Sequence, residues 1–157
     1  MEPIELVKKM CEEVYGQGKT ELIKQLVADD CVSHHPILGT LDRSGIENDV
    51  QGYRKAFPDM SVQVLDAIGS GDKAMVRWRA TGTHRGELMG TPPTNKKVTI
   101  EGMSEVRVQN GKIRESWEQY DVLGMLRQIG AIPESMLPRP NGGPRAGGPS
   151  QQAQRPR

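Results

Sequence analysis

Aromatic side chains are scarce in this chain. Two Trp, three Tyr and one Phe make up 4% of its 157 residues. Cysteine and histidine are scarcer still, at two and three residues, too few for a disulfide scaffold. Cys31, His34 and His35 lie close in sequence, with Asp29 and Asp30 nearby. They lack a second Cys or His pair at ligand spacing, so no metal is expected. No phosphate loop of the GxxxxGK type occurs, and Gly69-Ser70-Gly71 is only a turn. No run reaches the ~18 apolar residues of a membrane span, and the N-terminus lacks the basic and apolar regions of a signal peptide. A cytoplasmic protein with reduced thiols and no membrane partner is the expectation.

Acids are absent from the last twenty positions. Residues 138–157 hold five Pro, four Gly and four Arg and almost nothing apolar, the composition of a disordered tail. The expected folded unit is therefore residues 1–137. It carries 17 of the 21 basic residues and all 20 acids. A domain of net negative charge does not suit nucleic acid, which needs clustered Lys and Arg.

Apolar spacing divides the domain into two halves. Ile4, Val7, Met10, Cys11 and Val14 form one helical stripe over residues 3–15, with Pro3 suited to the first turn. Leu22, Ile23, Leu26 and Val27 mark a short second helix. Ser44 with Glu47 reads as a capping box for a third helix, whose stripe is Ile46, Val50, Tyr53 and Phe57 and which Pro58 ends. The period then changes to two. Strands are expected over 61–69, 73–84, 97–109 and 112–121, and a last short helix over 122–129. Helices followed by antiparallel strands indicate an α+β domain with the helices on one face of the sheet.

Asn110-Gly111 is the strongest hairpin signal in the chain. As a two-residue loop it pairs Gln109 with Lys112 and turns one set of alternate residues inward. That set contains Val98, Ile100, Gly102, Ser104, Val106 and Val108, and on the second strand Ile113, Glu115, Trp117, Gln119 and Asp121. A β-bulge within 97–121 would invert part of this assignment. Polar groups on a buried face are costly unless partnered, and small Gly102 and Ser104 opposite large residues leave room for a hollow. Asp121 beside Trp117 is the candidate general base, since an apolar wall raises a carboxyl pKa toward neutrality. The competing role is N-cap of the helix starting at Val122. His84 shares parity with Trp78 and is the candidate polar partner. The loop 85–96 is long for a hairpin connection, and its Leu88 and Met89 are candidates for a pocket mouth.

Several stretches occur in a familiar order: His35-Pro36, Phe57-Pro58-Asp59, Gly82-Thr83-His84, Gly86-Glu87-Leu88-Met89-Gly90, Pro92-Pro93-Thr94, Asn110-Gly111-Lys112-Ile113, and Trp117 with Asp121 and Leu126-Gln128-Gly130. Together, over roughly residues 4–131, they resemble the SnoaL-like polyketide cyclases, or ester cyclases. The chain departs from their pattern at Ser116, where a His often precedes the Trp, and at Asn95, which stands for a Gly. The resemblance implies the cone-shaped, cystatin-like fold shared with ketosteroid isomerase, with N-terminal helices closing a single pocket. It also implies a homodimer formed through the sheets and a cofactor-free reaction. In that reaction an Asp at the end of the last strand, here Asp121, takes a proton next to a carbonyl, and the enolate closes a ring by an aldol-type attack. His84 and Gln119 would hold the carbonyl oxygen. Trp78, Trp117, Tyr53, Phe57, His35, Ser104 and Met89 would contact a small hydrophobic, polyketide-like substrate. A non-catalytic binder of a small hydrophobic molecule, or a cofactor-free hydrolase or dehydratase on the same fold, are the alternatives.

Overall fold

The computed structural model describes residues 1–139. Helix α1 (Pro3–Lys9) starts at a capping box in which the Glu2 amide donates to the Glu5 carboxylate at 3.2 Å. It continues into a π-helical segment, Met10–Tyr15. The buried stripe is Leu6, Val7, Cys11 and Val14. A 3-10 turn (Thr20–Leu22) leads into α2 (Ile23–Leu26), a single turn. Val27, expected within that helix, is instead the first residue of strand β1 (Val27–His35), which a short β2 (Gly39–Leu41) follows. The sequence pattern did not indicate these two strands. The exposed Asp29-Asp30 pair interrupts the alternation in β1, and β2 is a three-residue edge.

Helix α3 (Arg43–Ala56) is capped by Asp42, whose carboxylate accepts from Gly45 N at 2.7 Å. The expected capping box from Ser44 does not form, because the Ser44 hydroxyl donates to Asp42. Strands β3 (Ser61–Ser70), β4 (Lys73–Thr83), β5 (Lys97–Gln109) and β6 (Lys112–Tyr120) follow, then α4 (Val122–Gln128) and a 3-10 turn, Glu134–Met136. One curved six-stranded sheet results, in the order β2-β1-β6-β5-β4-β3. It is mixed rather than wholly antiparallel, since β1 runs parallel to β6. Asp59 ties the end of β4 to the segment after α3, accepting from the Thr83 amide and hydroxyl at 2.7 Å each.

The β5–β6 hairpin turns at Asn110 and Gly111, both with positive φ (53° and 74°), as a two-residue loop of this twist requires. Gln109 pairs with Lys112 and Val108 with Ile113, as expected. The register then slips. Arg107 pairs with Glu115 rather than Arg114, and from there Ser104 faces Glu118 and Gly102 faces Tyr120. The extra residue in β6 turns the rest of the strand over. Ser116, Glu118 and Tyr120 point inward, in place of the expected Glu115, Trp117 and Gln119.

Two apolar clusters fill the interior. The larger joins α1, α2 and α3 to the sheet around Leu6, Val14, Leu26, Val50 and Val106. The smaller surrounds Phe57, Leu88, Met125 and Ile129. Among the described residues no helix is long and apolar enough to cross a membrane. The tail expected over 138–157 lies, apart from its first two positions, outside the described residues.

Candidate functional site

A cavity of about 110 Å³ lies between the inner face of the sheet and helices α1 and α3. Its wall is apolar apart from a few polar groups. Tyr53 and Asp49 come from one face of α3, four residues apart. Trp78 comes from β4, Ser104 from β5, Glu118 and Tyr120 from β6, and His35 from the end of β1. These polar groups fall into two sets.

The first set is a short chain. Trp78 Nε1 donates to Ser104 Oγ at 2.9 Å, and the Ser104 hydroxyl donates to Glu118 Oε2. The order is forced, because an indole N–H only donates and Ser104 has one hydrogen to give. Glu118 Oε1 has no hydrogen bond to any described residue. Burial pushes the Glu118 carboxyl up to about 8, assisted by the negative charge of Asp49 and opposed by the Ser104 hydrogen bond. The Cys11 thiol lines the same wall and burial holds it far above its ordinary range, which leaves it inert as a nucleophile.

The second set is a network. Asp49 accepts from Tyr15 Oη at 3.0 Å and stands 3.4 Å from His35 Nε2. Tyr120 Oη lies 3.1 Å from that same nitrogen and 2.6 Å from Tyr53 Oη. The backbone amides of Ile37 and Leu38 both donate to His35 Nδ1 at 3.1 Å. Burial raises the Asp49 carboxyl above its usual range, with His35 and Tyr15 opposing the shift. Burial also pushes Tyr53 up to about 12 and Tyr120 well beyond, so both phenols are protonated at neutral pH.

The expected site residues divide between the cavity and elsewhere. His35, Tyr53, Phe57, Trp78 and Ser104 line the cavity. Asp121, His84, Trp117, Gln119 and Met89 do not. Asp121 is exposed and caps α4, accepting from Gly124 N at 2.8 Å. A Cβ at Gly124 would lie 2.1 Å from that carboxylate, so this glycine is what lets the cap close. Of the two roles read for Asp121, which do not exclude each other, the cap is formed. Trp117 is turned out by the bulge and stacks on His34 with ring centroids 5.3 Å apart, while Gln119 is exposed. Glu115, also expected inside, pairs outside with His34 and Arg107. Met89 is 50% exposed at a left-handed loop position.

His84 is fully buried behind Phe57, with ring centroids 5.7 Å apart. Its Nδ1 accepts from Thr94 N at 3.3 Å, and its Nε2 is buried without a partner among the described residues. Four titratable residues of the site were missed: Glu118, Tyr120, Asp49 and Tyr15. The last two had a signal in the sequence. Asp49 lies three residues after Ile46 and four before Tyr53, and Tyr15 four after Cys11, so both sit on apolar helical stripes. Among the described residues no group of three or more His, Cys, Asp or Glu is placed to hold a metal ion.

Comparison with known proteins agrees with this architecture. The family model of the SnoaL-like polyketide cyclases matches residues 5–129. The aklanonic acid methyl ester cyclase DauD of Streptomyces sp. (strain C5) is 28% identical over 148 residues, covering 87% of this chain and 89% of that protein. Among solved structures, IdmH of Streptomyces antibioticus, a polyketide cyclase candidate, superposes with a TM-score of 0.73 at 32% identity, over 83% of this chain and 99% of that one. AclR of Streptomyces galilaeus, a hydroxylase candidate, also gives 0.73, at 26% identity over 82% of this chain and 96% of that one.

Proposed function

Since the chain belongs to the SnoaL-like polyketide cyclase family, we propose that it is a cofactor-free cyclase whose general base is Glu118, in place of the Asp121 expected from sequence. One observation carries this reading. Glu118 is the carboxyl on the apolar wall with one oxygen fixed by Ser104 and the other without a hydrogen bond among the described residues, and burial pushes it up to about 8. A base is most effective when its pKa lies near the working pH. Glu118 Oε1 takes a proton from the carbon next to a substrate carbonyl. The electron pair of that C–H bond becomes an enolate, which attacks a second carbonyl of the same molecule and forms the ring C–C bond. The resulting alkoxide recovers the proton from Glu118.

The substrate class is a small hydrophobic polyketide ester, by analogy with the aklanonic acid methyl esters named for DauD. The working form is a cytoplasmic homodimer joined through the outer sheet faces. Exposed Val32, Met75 and Met103 lie there around the Trp117–His34 stack, and light scattering should return twice the 17.3 kDa chain mass.

The test is ring closure of an aromatic polyketide methyl ester in deuterium oxide, followed by NMR. Glu118→Gln should lose deuterium incorporation at the activated carbon and ring closure together, by ~10²–10⁴-fold. Full turnover in a folded Glu118→Gln protein would sink the assignment.

A further inference from the structure

The hydrogens of the second polar set can be counted. His35 Nδ1 receives two backbone N–H bonds, so it holds a lone pair and the ring hydrogen is on Nε2. Tyr120 therefore cannot donate to His35; it can only accept from Nε2 at 3.1 Å. Between Tyr120 and Tyr53, 2.6 Å apart, a single hydrogen is shared. The pair owns two hydroxyl hydrogens and uses one. Whichever way the shared hydrogen lies, one phenolic O–H has no acceptor among the described residues, and both phenols line the cavity. Asp49 already faces Tyr15 and His35 Nε2.

The direction of the chain follows from cooperativity. Tyr120 Oη accepts from Nε2–H and becomes a stronger donor by doing so. Its hydrogen then goes to Tyr53 Oη, and Tyr53 keeps the free hydrogen. This geometry sets a strengthened hydroxyl donor against the cavity. Tyr120 lies two residues from Glu118 on the same face of β6, about 6.6 Å along the strand. An enolisable ketone can bridge that span, with its acidic C–H at one end and its oxygen at the other.

We propose that the Tyr53–Tyr120 pair grips the carbonyl oxygen of the ligand, with Tyr53 as the donor and Tyr120 and His35 as positioning residues that orient and strengthen it. The proposal supplies the oxygen-binding group that His84 and Gln119 cannot, since neither lines the cavity. It deepens the acid–base reading above but is testable apart from it. Charge that develops on oxygen during proton removal is stabilised by such a preorganised donor.

The probe is methyl naphthyl ketone with an isotope-labelled carbonyl, read by its infrared stretch and by exchange of its methyl hydrogens in deuterium oxide. Bound to the wild-type protein, the carbonyl stretch should fall relative to the ketone in hydrocarbon solvent. Tyr53→Phe should abolish that fall and weaken binding about threefold to tenfold. Tyr120→Phe and His35→Gln should keep a smaller fall. Glu118→Gln should keep the full fall while losing methyl exchange, so failure of the base reading and failure of this one look different. Where Tyr53→Phe does not fold, fluorotyrosine at position 53, a more acidic donor, should deepen the fall. The proposal is overturned by an unshifted carbonyl in the wild-type complex, by no saturable binding of the ketone, by a fall that survives Tyr53→Phe, or by a fluorotyrosine protein with an unchanged stretch.

Discussion

Two carboxyls line the same cavity, and their surroundings differ. Asp49 is spoken for: Tyr15 donates to one oxygen and His35 Nε2 lies beside the other. Glu118 has one hydroxyl on one oxygen and none on the other. Burial raises both carboxyls. At Asp49 the partners oppose that shift and build a rigid network. At Glu118 the single partner leaves a carboxyl pushed up to about 8 whose second oxygen has no hydrogen bond among the described residues. A fully partnered buried group stabilises a structure, whereas a partly partnered one is a candidate for chemistry.

The largest effect expected from breaking this contrast is on rate. Glu118→Gln should cost ~10²–10⁴ in methyl or methine exchange. Asp49→Asn should cost less than about tenfold, because only the orientation of the network suffers. Equal losses in the two variants would remove the distinction.

The next effect is on stability against pH. The Glu118 carboxyl titrates at about 8 in the folded chain against an ordinary value of 4.5. Between these values the folded chain holds a proton that the unfolded chain releases, so this group lowers stability as pH rises from about 4.5 to about 8. Glu118→Gln keeps the Ser104 contact and cannot ionise. It should be more stable than wild type by up to about 5 kcal/mol at pH 9 and indistinguishable near pH 4, in denaturant titrations at the two pH values. A gain confined to low pH would contradict the assignment.

Asp49→Asn should instead be destabilising by about 1–3 kcal/mol at pH 7, since the Tyr15 hydroxyl loses a charged acceptor. Gly102→Ala should cost about as much, ~1–3 kcal/mol, with the indole shifted. An added Cβ there would lie 2.4 Å from the Trp78 ring and 2.7 Å from Tyr120 Cβ, so the change should also disturb the Ser104–Glu118 pair and alter near-UV circular dichroism. The smallest effect belongs to the carboxyl outside the cavity. Asp121→Ala should lower stability by ~1 kcal/mol through loss of the α4 cap and leave turnover within about threefold. A collapse of turnover in a folded Asp121→Ala protein would return the base to that position.

The sequence by itself determined much of the frame. Spacing located α1, α3, α4 and the four long strands to within a few residues, because amphipathic periods of 3.6 and two are written directly in residue order. Asn110-Gly111 announced its turn because both positions need a left-handed backbone, and the ordered motifs pointed to the family. Tyr53, Phe57, Trp78 and Ser104 were also legible in the cavity, since they sit on those periodic faces, whereas His35 was reached through the ordered motifs. Which carboxyl faces the cavity was decided only by the tertiary structure. A strand's faces alternate residue by residue, so the one extra residue at Arg114 exchanges Trp117 and Gln119 for Glu118 and Tyr120. Nothing local marks that slip. It arises where β6 pairs with β5 on one side and with parallel β1 on the other. The tyrosine–histidine network likewise joins residues 15, 35, 49, 53 and 120. Those positions become neighbours only when the helices close over the curved sheet.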